Sequence, residues 1–192
     1  MLITVSGPPG SGKSTNAAGL AEALGYEHIS GGDIFREMAA DNDMTPVEFN
    51  EHAEDDEDVD EALDERLHEI AHTRDNVVLE SRLAGWLAGD AADLRIWFDA
   101  PLDVRADRIA EREEKSIETA RAETKRREAS EKKRYLAYYN IDIDDLSIYD
   151  ATYNTARWGP EPFLDALVAT VEAYDPADDE GKHPVEGVEH DF

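Results

Sequence analysis

The sequence predicts an α/β fold in which a mostly parallel sheet is covered by helices on both faces. Three observations carry that expectation. Short apolar runs of strand length alternate along the chain with longer helical patterns. Most of the runs are largely apolar rather than alternating, as strands buried on both faces are. A glycine-rich turn separates the first run from the first helical pattern, so strand, turn and helix follow in that order.

The elements follow in turn. Residues 2–5, Leu2-Ile3-Thr4-Val5, read as a short buried strand, residues 7–14 as the glycine turn, and residues 15–24 as an amphipathic helix with small residues for the sheet. A second strand over 26–29 ends at Ser30-Gly31-Gly32, and Asp33 is placed to cap a helix running through Arg36 and Met38. Helical stretches follow over 46–52 and 59–73. The runs at 76–80 and 94–99 are further buried strands, each closing on a carboxylate, Glu80 and Asp99. Helical patterns occupy 82–87, 102–114 and 117–138. A last strand over 151–155 precedes Gly159-Pro160, and residues 162–174 form the closing helix with proline in its first turn. Beyond Tyr174 the chain has few large apolar residues to offset its ordering entropy, so 175–192 reads as an acidic disordered tail.

A chain of 192 residues is one domain's worth, enough to bury a sizeable core, so residues 1–174 are expected to form a single unit. The 192 residues include no cysteine, which removes disulfides, thiolate metal sites and cysteine nucleophiles. No run of about 18 apolar residues occurs, and Met1 to Val5 lead directly into glycines, so a cytoplasmic protein without a membrane partner is expected. The formal net charge of −27 is extreme. With carboxylates spread over most of the chain, it reads as a solvated acidic surface suited to a high-salt cytoplasm, where repulsion is screened.

The motif that carries chemistry is Gly7-Pro8-Pro9-Gly10-Ser11-Gly12-Lys13-Ser14, which fits G-x-x-x-x-G-K-[ST] between a strand and a helix. Phosphate oxygens need several converging donors. Glycines let backbone N–H groups turn inward, and the helix N-terminus adds partial positive charge. Lys13 is expected to reach the β and γ phosphates of ATP, and Ser14 to ligate Mg²⁺, with Thr15 completing the loop. The loop alone leaves the acceptor open. A guanine-reading Asn-Lys-x-Asp is absent, since none of the six asparagines precedes a lysine.

Three further features surround that loop. In Ser30-Gly31-Gly32-Asp33-Ile34-Phe35-Arg36, Arg36 lies one turn beyond Asp33 on the same side, a guanidinium able to clamp an acceptor phosphate or simply a surface arginine. Glu80-Ser81-Arg82 closes a buried strand at its carboxyl end, where open α/β sheets bind ligands. Of the 19 lysines and arginines, 11 fall from Arg105 to Arg134, interleaved with glutamates. That concentration suits a helical hairpin that folds over a triphosphate, with its remaining cations paired outward. The acidic stretch 51–65 lacks an EF-hand pattern and reads as a solvated helix surface. His68 and His72 are four apart with no third ligand, and the other histidines form no zinc pattern.

On the phosphate loop, Ser30 to Arg36, Glu80-Ser81-Arg82-Leu83-Ala84-Gly85-Trp86, the basic stretch 105–134 and Tyr149-Asp150-Ala151-Thr152-Tyr153-Asn154-Thr155, the chain resembles the archaeal-type cytidylate kinases, within the adenylate-kinase-like nucleoside monophosphate kinases. The likeness spans roughly residues 1–174. It implies a five-stranded parallel core of the P-loop NTPase kind, a mobile monophosphate-binding segment near 30–73 and a helical lid near 108–130. By position it implies that Asp33 and Arg36, with Ser30 beside them, hold the CMP phosphate. Ser81 and Arg82 would meet the pyrimidine, and Arg112, Arg127 and Arg134 the phosphoryl group in flight.

The expected reaction is in-line transfer from ATP to CMP or dCMP, with Mg²⁺, Lys13 and lid arginines on the equatorial oxygens. The acceptor phosphate is already anionic near neutral pH, so no strong general base is needed and Asp33 positions. The rivals are a P-loop kinase of a small hydroxyl substrate, with a carboxylate near Asp33 taking the proton, and a nucleotide-dependent RNA-binding module, against which the anionic surface argues. A monomer with no nucleic-acid partner is expected.

Overall fold

Strand β1 (Leu2–Ser6) is buried at all five positions, because it is the central strand of the sheet. In this computed structural model, which describes residues 1–54, 56–186 and 188, β1 lies between β3 (Val77–Glu80) and β4 (Leu94–Asp99). With β2 (Glu27–Ser30) and β5 (Ala151–Asn154) at the edges, the order is β2-β3-β1-β4-β5. Every pairing is parallel, from Leu2↔Val77 in the centre to Ile96↔Ala151 at the edge. The five-stranded parallel core is therefore as expected, and all five strands direct their carboxyl ends to one rim.

The period of two along the central strands sorts side chains onto two faces. Ile3, Val5, Val78, Ile96 and Phe98 face α1 (Lys13–Leu24) and α8 (Pro160–Glu172), packing with Leu20, Phe163 and Leu167. Leu2, Val77, Leu79 and Trp97 face the other way, against residues of α4 (Glu57–Thr73), α5 (Ala84–Ala88) and the end of α7 (Ile117–Tyr139). Each fully buried aromatic such as Phe98 contributes about 2–3 kcal/mol of apolar burial. The approach of α5 is close: a Cβ on Gly85 would stand 2.7 Å from the ring of Tyr149.

Helices α2 (Gly31–Asp41), α3 (Pro46–His52) and α4 form the segment after β2, with a small core of Ala39, Phe49, Ala53 and Val59. Helix α6 (Leu102–Arg112) and α7 form an antiparallel hairpin joined at Ile109, Ala110 and Ala120. The acidic face of α3 and α4 carries no metal cluster among the described residues. Among the described residues no helix is long and apolar enough to cross a membrane.

Two local expectations are corrected. The cap of α2 is Ser30, whose hydroxyl accepts from the Asp33 N–H at 3.2 Å, so Asp33 sits inside the first turn. Ser30 wins because it is still extended, φ −110° and ψ 114°, as an N-cap must be. Helix α8 begins at Pro160, two residues earlier than expected, with extended Gly159 as its cap. The tail carries no helix or strand over 175–186, yet it makes defined contacts. The His183 carbonyl accepts from Nη2 of Arg95 at 2.8 Å, Lys182 Nζ donates to the Asp90 carbonyl at 2.9 Å, and Val185 and Val188 pack on the core. The rest of the expected tail, Gly187 and 189–192, lies outside the described residues.

Candidate active site

The glycine loop between β1 and α1 is held open by backbone that only glycine adopts readily. Gly7, Gly10 and Gly12 have φ of 147°, 78° and 88°. A Cβ on Gly7 would stand 2.1 Å from the Phe98 carbonyl oxygen, and one on Gly10 would stand 2.7 Å from the Arg105 carbonyl oxygen, so the loop is pressed onto β4 and α6. No side chain caps α1, whose N-cap is Gly12, which leaves the first amides of a twelve-residue helix for an anion. Ser11 Oγ is buried there without a partner among the described residues. An orphaned donor beside uncapped amides fits a phosphate.

Lys13 Nζ curls back into this loop, donating to the carbonyls of Gly7 at 2.8 Å and Pro8 at 3.1 Å. Loss of hydration pulls its pKa down to about 7; Glu80 and Glu131 raise it in part, and Arg82 and Arg127 lower it further. The ammonium is thus held where a triphosphate would restore its charge. Ser14 Oγ donates to Glu80 Oε1 at 2.7 Å, and Ser30 Oγ donates to the same oxygen at 2.5 Å. Glu80 is only 2 % exposed. Hydroxyl and carboxylate oxygens in this arrangement are hard ligands that fit Mg²⁺ directly or through its waters.

Arg82 reaches back across the strand ends. Its Nη1 donates to the Gly7 carbonyl at 2.8 Å and its Nε to Glu131 Oε2 at 2.7 Å. The other oxygen of Glu131 accepts from Arg127 Nε at 2.6 Å. Two guanidiniums offset the burial of Glu131 and hold its pKa down at about 2. Arg105 and Arg108 of α6 also grip the loop. Arg105 Nη1 donates to the Pro9 carbonyl at 3.1 Å and pairs with Glu128, while Arg108 Nη1 donates to the Gly10 carbonyl at 3.2 Å and to Thr155 Oγ1 at 3.0 Å. Thr155 in turn donates to the Ser11 carbonyl at 2.8 Å.

The structure brings together Gly7 to Thr15, Ser30, Arg82 and Arg127 from the expected set. Ser81, buried beside them, accepts from the Leu83 N–H at 3.1 Å, and Arg82 points to the loop. Asp33 and Arg36 pair with each other at an exposed position on α2. Arg112 pairs with its neighbour Glu113 at the hairpin tip, 65 % exposed. Arg134 is buried, donating to Asp60 Oδ2 at 2.6 Å and to Ser130 Oγ at 2.6 Å. Asp60 and its neighbour Asp64, which is bonded to Tyr139, are both pushed up by burial. Sequence reasoning gave no site role to Glu80, Glu131, Arg105, Arg108 or Thr155. For Glu80 the signal was present, a buried strand closing on a carboxylate.

A parallel α/β sheet with a glycine loop, an enclosed lysine, a serine–glutamate pair and an arginine-bearing hairpin defines a P-loop phosphotransferase. Residues 2–157 match the model of the cytidylate kinase-like family. The chain belongs to that family, and with it to the nucleoside monophosphate kinases. It is 75 % identical to the cytidylate kinase of Halorubrum lacusprofundi, over all of both chains. It is 45 % identical to that of Pyrococcus horikoshii, over 94 % of this chain and 93 % of the other. The acidic surface fits the relatives from halophilic archaea, among them the 61 % identical cytidylate kinase of Haloquadratum walsbyi. In fold it is similar to the shikimate kinase of Bacteroides thetaiotaomicron, with TM-score 0.63 and 17 % identity over 90 % of this chain and 98 % of the other.

Proposed function

We propose that the chain transfers the γ-phosphoryl group of ATP to CMP, and to dCMP, giving the diphosphate and ADP in the cytoplasm. The relatives named cytidylate kinase, similar over their whole length, support the acceptor. The observation that carries the reading is the pair Arg82 and Arg127 on Glu131, close enough to Lys13 to lower its pKa. A cationic pair beside the loop lysine suits a second anion next to the triphosphate.

On this reading residues 1–174 are one kinase domain, 30–73 the acceptor segment and 108–130 the lid. Loop amides and Ser11 hold the β and γ phosphates, and Lys13 spans them. Ser14, backed by Glu80, holds Mg²⁺, which when bound neutralises charge on the phosphate oxygens. Ser30 links the acceptor segment to that carboxylate, and Asp33, Arg36, Ser81 and Arg82 border the CMP side. Arg127 faces the transferring group. Arg112 and Arg134 join it when phosphate replaces their partners Glu113 and Asp60. CMP needs no strong base, since its phosphate is already anionic. The hydroxyl-kinase alternative is not favoured: Asp33, its expected base, is exposed and held by Arg36.

The test is ADP release from ATP and Mg²⁺ with CMP, dCMP, UMP and AMP in turn, in molar KCl. CMP is expected to turn over fastest. AMP outrunning CMP tenfold overturns the acceptor assignment.

A further inference from the structure

Glu131 is 2 % exposed, and both of its oxygens are engaged by arginines from different parts of the fold. Arg82 comes from the end of β3 and is tied to the Gly7 carbonyl; Arg127 comes from α7, one turn before Glu131 itself. Both donate through Nε. Among the described residues no hydrogen bond engages Nη1 or Nη2 of Arg127, or Nη2 of Arg82. Those Nη groups therefore keep donors for an anion while both Nε groups are fixed by Glu131.

We propose that Glu131 is the positioning residue of the transfer site, holding Arg82 and Arg127 as one rigid cationic pair beside Lys13. This rests on the proposed phosphoryl transfer to a nucleoside monophosphate. Without the carboxylate, two guanidiniums and an ammonium would share a poorly hydrated space, and mutual repulsion would drive Arg127, 45 % exposed on its helix, towards solvent. With it, the pair is assembled before the substrate arrives, and less reorganisation remains for the transition state. An alternative role is a stand-in that occupies the acceptor phosphate's place and leaves on binding. The geometry argues against that, because a stand-in would take the Nη groups that remain open, whereas Glu131 takes Nε on both arginines.

The two roles give opposite kinetics. The comparison is kcat and KM for ATP and the acceptor in wild type, Glu131→Gln, Glu131→Asp, Arg127→Ala and the Arg127→Ala/Glu131→Gln double variant, with thermal melts of each. The acceptor is whichever monophosphate the wild type turns over, so a wild type inactive on CMP counts against the acceptor assignment and leaves the Glu131 ratio measurable. Expected for Glu131→Gln is a kcat loss of about 100-fold with both KM values within about threefold. Glu131→Asp, keeping the charge, should fall between wild type and Gln. In the Arg127→Ala background the Gln substitution should lose less than about threefold more, since its main mediator is gone. A Glu131→Gln kcat within threefold of wild type with a lower KM for the acceptor is the stand-in's signature and overturns the proposal. So does a full 100-fold loss in the Arg127→Ala background. Should Glu131→Gln not fold, Glu131→Asp carries the test: about a tenfold fall in kcat at unchanged KM is expected, and an undiminished kcat overturns it.

Discussion

Ser14 and Glu80, 66 residues apart in the chain, share a hydrogen bond of 2.7 Å that joins the start of α1 to the end of β3. Ser30 adds a second bond to the same carboxylate oxygen. Glu80 thus fixes the hydroxyl expected to meet Mg²⁺. Glu80→Gln keeps the shape and loses the charge. It should raise the Mg²⁺ concentration for half-maximal activity about tenfold and lower kcat about 100-fold. A magnesium titration checks this, and an unmoved midpoint counts against the metal role of Glu80.

Lys13 predicts a proton linkage. Its pKa in the free chain is lowered to about 7 from 10.5, and a bound triphosphate should raise it again. Between about pH 7 and 10 Lys13 of the free chain is largely neutral, so ATP binding takes up a proton and weakens as pH rises. Calorimetry at pH 8.5 in buffers of different ionisation enthalpy should give uptake close to one proton, and near zero at pH 6. For the free chain the sign is also set. The unfolded lysine keeps its proton up to 10.5 while the folded one loses it at about 7, so this group makes stability rise with pH across that window.

Arg134 and Asp60 form a pair in which both side chains are 6 % exposed. Removing one partner leaves a charge or an unbonded carboxyl in the interior. Arg134→Met should lower stability by about 3 kcal/mol, and Asp60→Asn/Arg134→Met should recover at least half of that. Arg127→Ala still leaves Glu131 its bond to Arg82, so it should lower stability less than Arg134→Met, by about 1 kcal/mol, and act mainly on kcat, whereas Arg134→Met should lower both. Denaturant titrations of the four proteins, with their rates, separate the two arginines.

The C-terminal stretch predicts its own effect. Arg95 is fully buried, and the His183 carbonyl accepts from its Nη2. A chain ending at Tyr174 exposes core around Val185 and Val188 and strips that acceptor. It should lose roughly 2 kcal/mol, or about 6 °C in Tm for a chain of this size. Arg95→Leu should reduce stability less in the truncated chain than in the full one.

Much of the fold was legible because the three central strands are short, mostly apolar runs and the phosphate loop has a fixed spacing. The helix starts were less so: Ser30 and Asp33 are both good caps, and the backbone at Ser30 decides between them. In the site, the loop and its lysine were legible, whereas the partner of each arginine was not. Arg82 and Glu131 are 49 residues apart, and in a stretch dense in glutamate nothing local marks which one folds inward. The contacts of the tail were not legible because its composition is polar on average, while Val185 and Val188 are two isolated apolar anchors.

The first two turns of α6 are bolted to the glycine loop, by Arg105 and Arg108 on its carbonyls and by the space that Gly10 leaves for the Arg105 backbone. Those turns cannot swing without prising the glycine loop apart. Any closure of the lid proposed above would therefore have to act beyond Arg108, towards the bend where Glu114, with φ of 52°, turns the chain from α6 into α7.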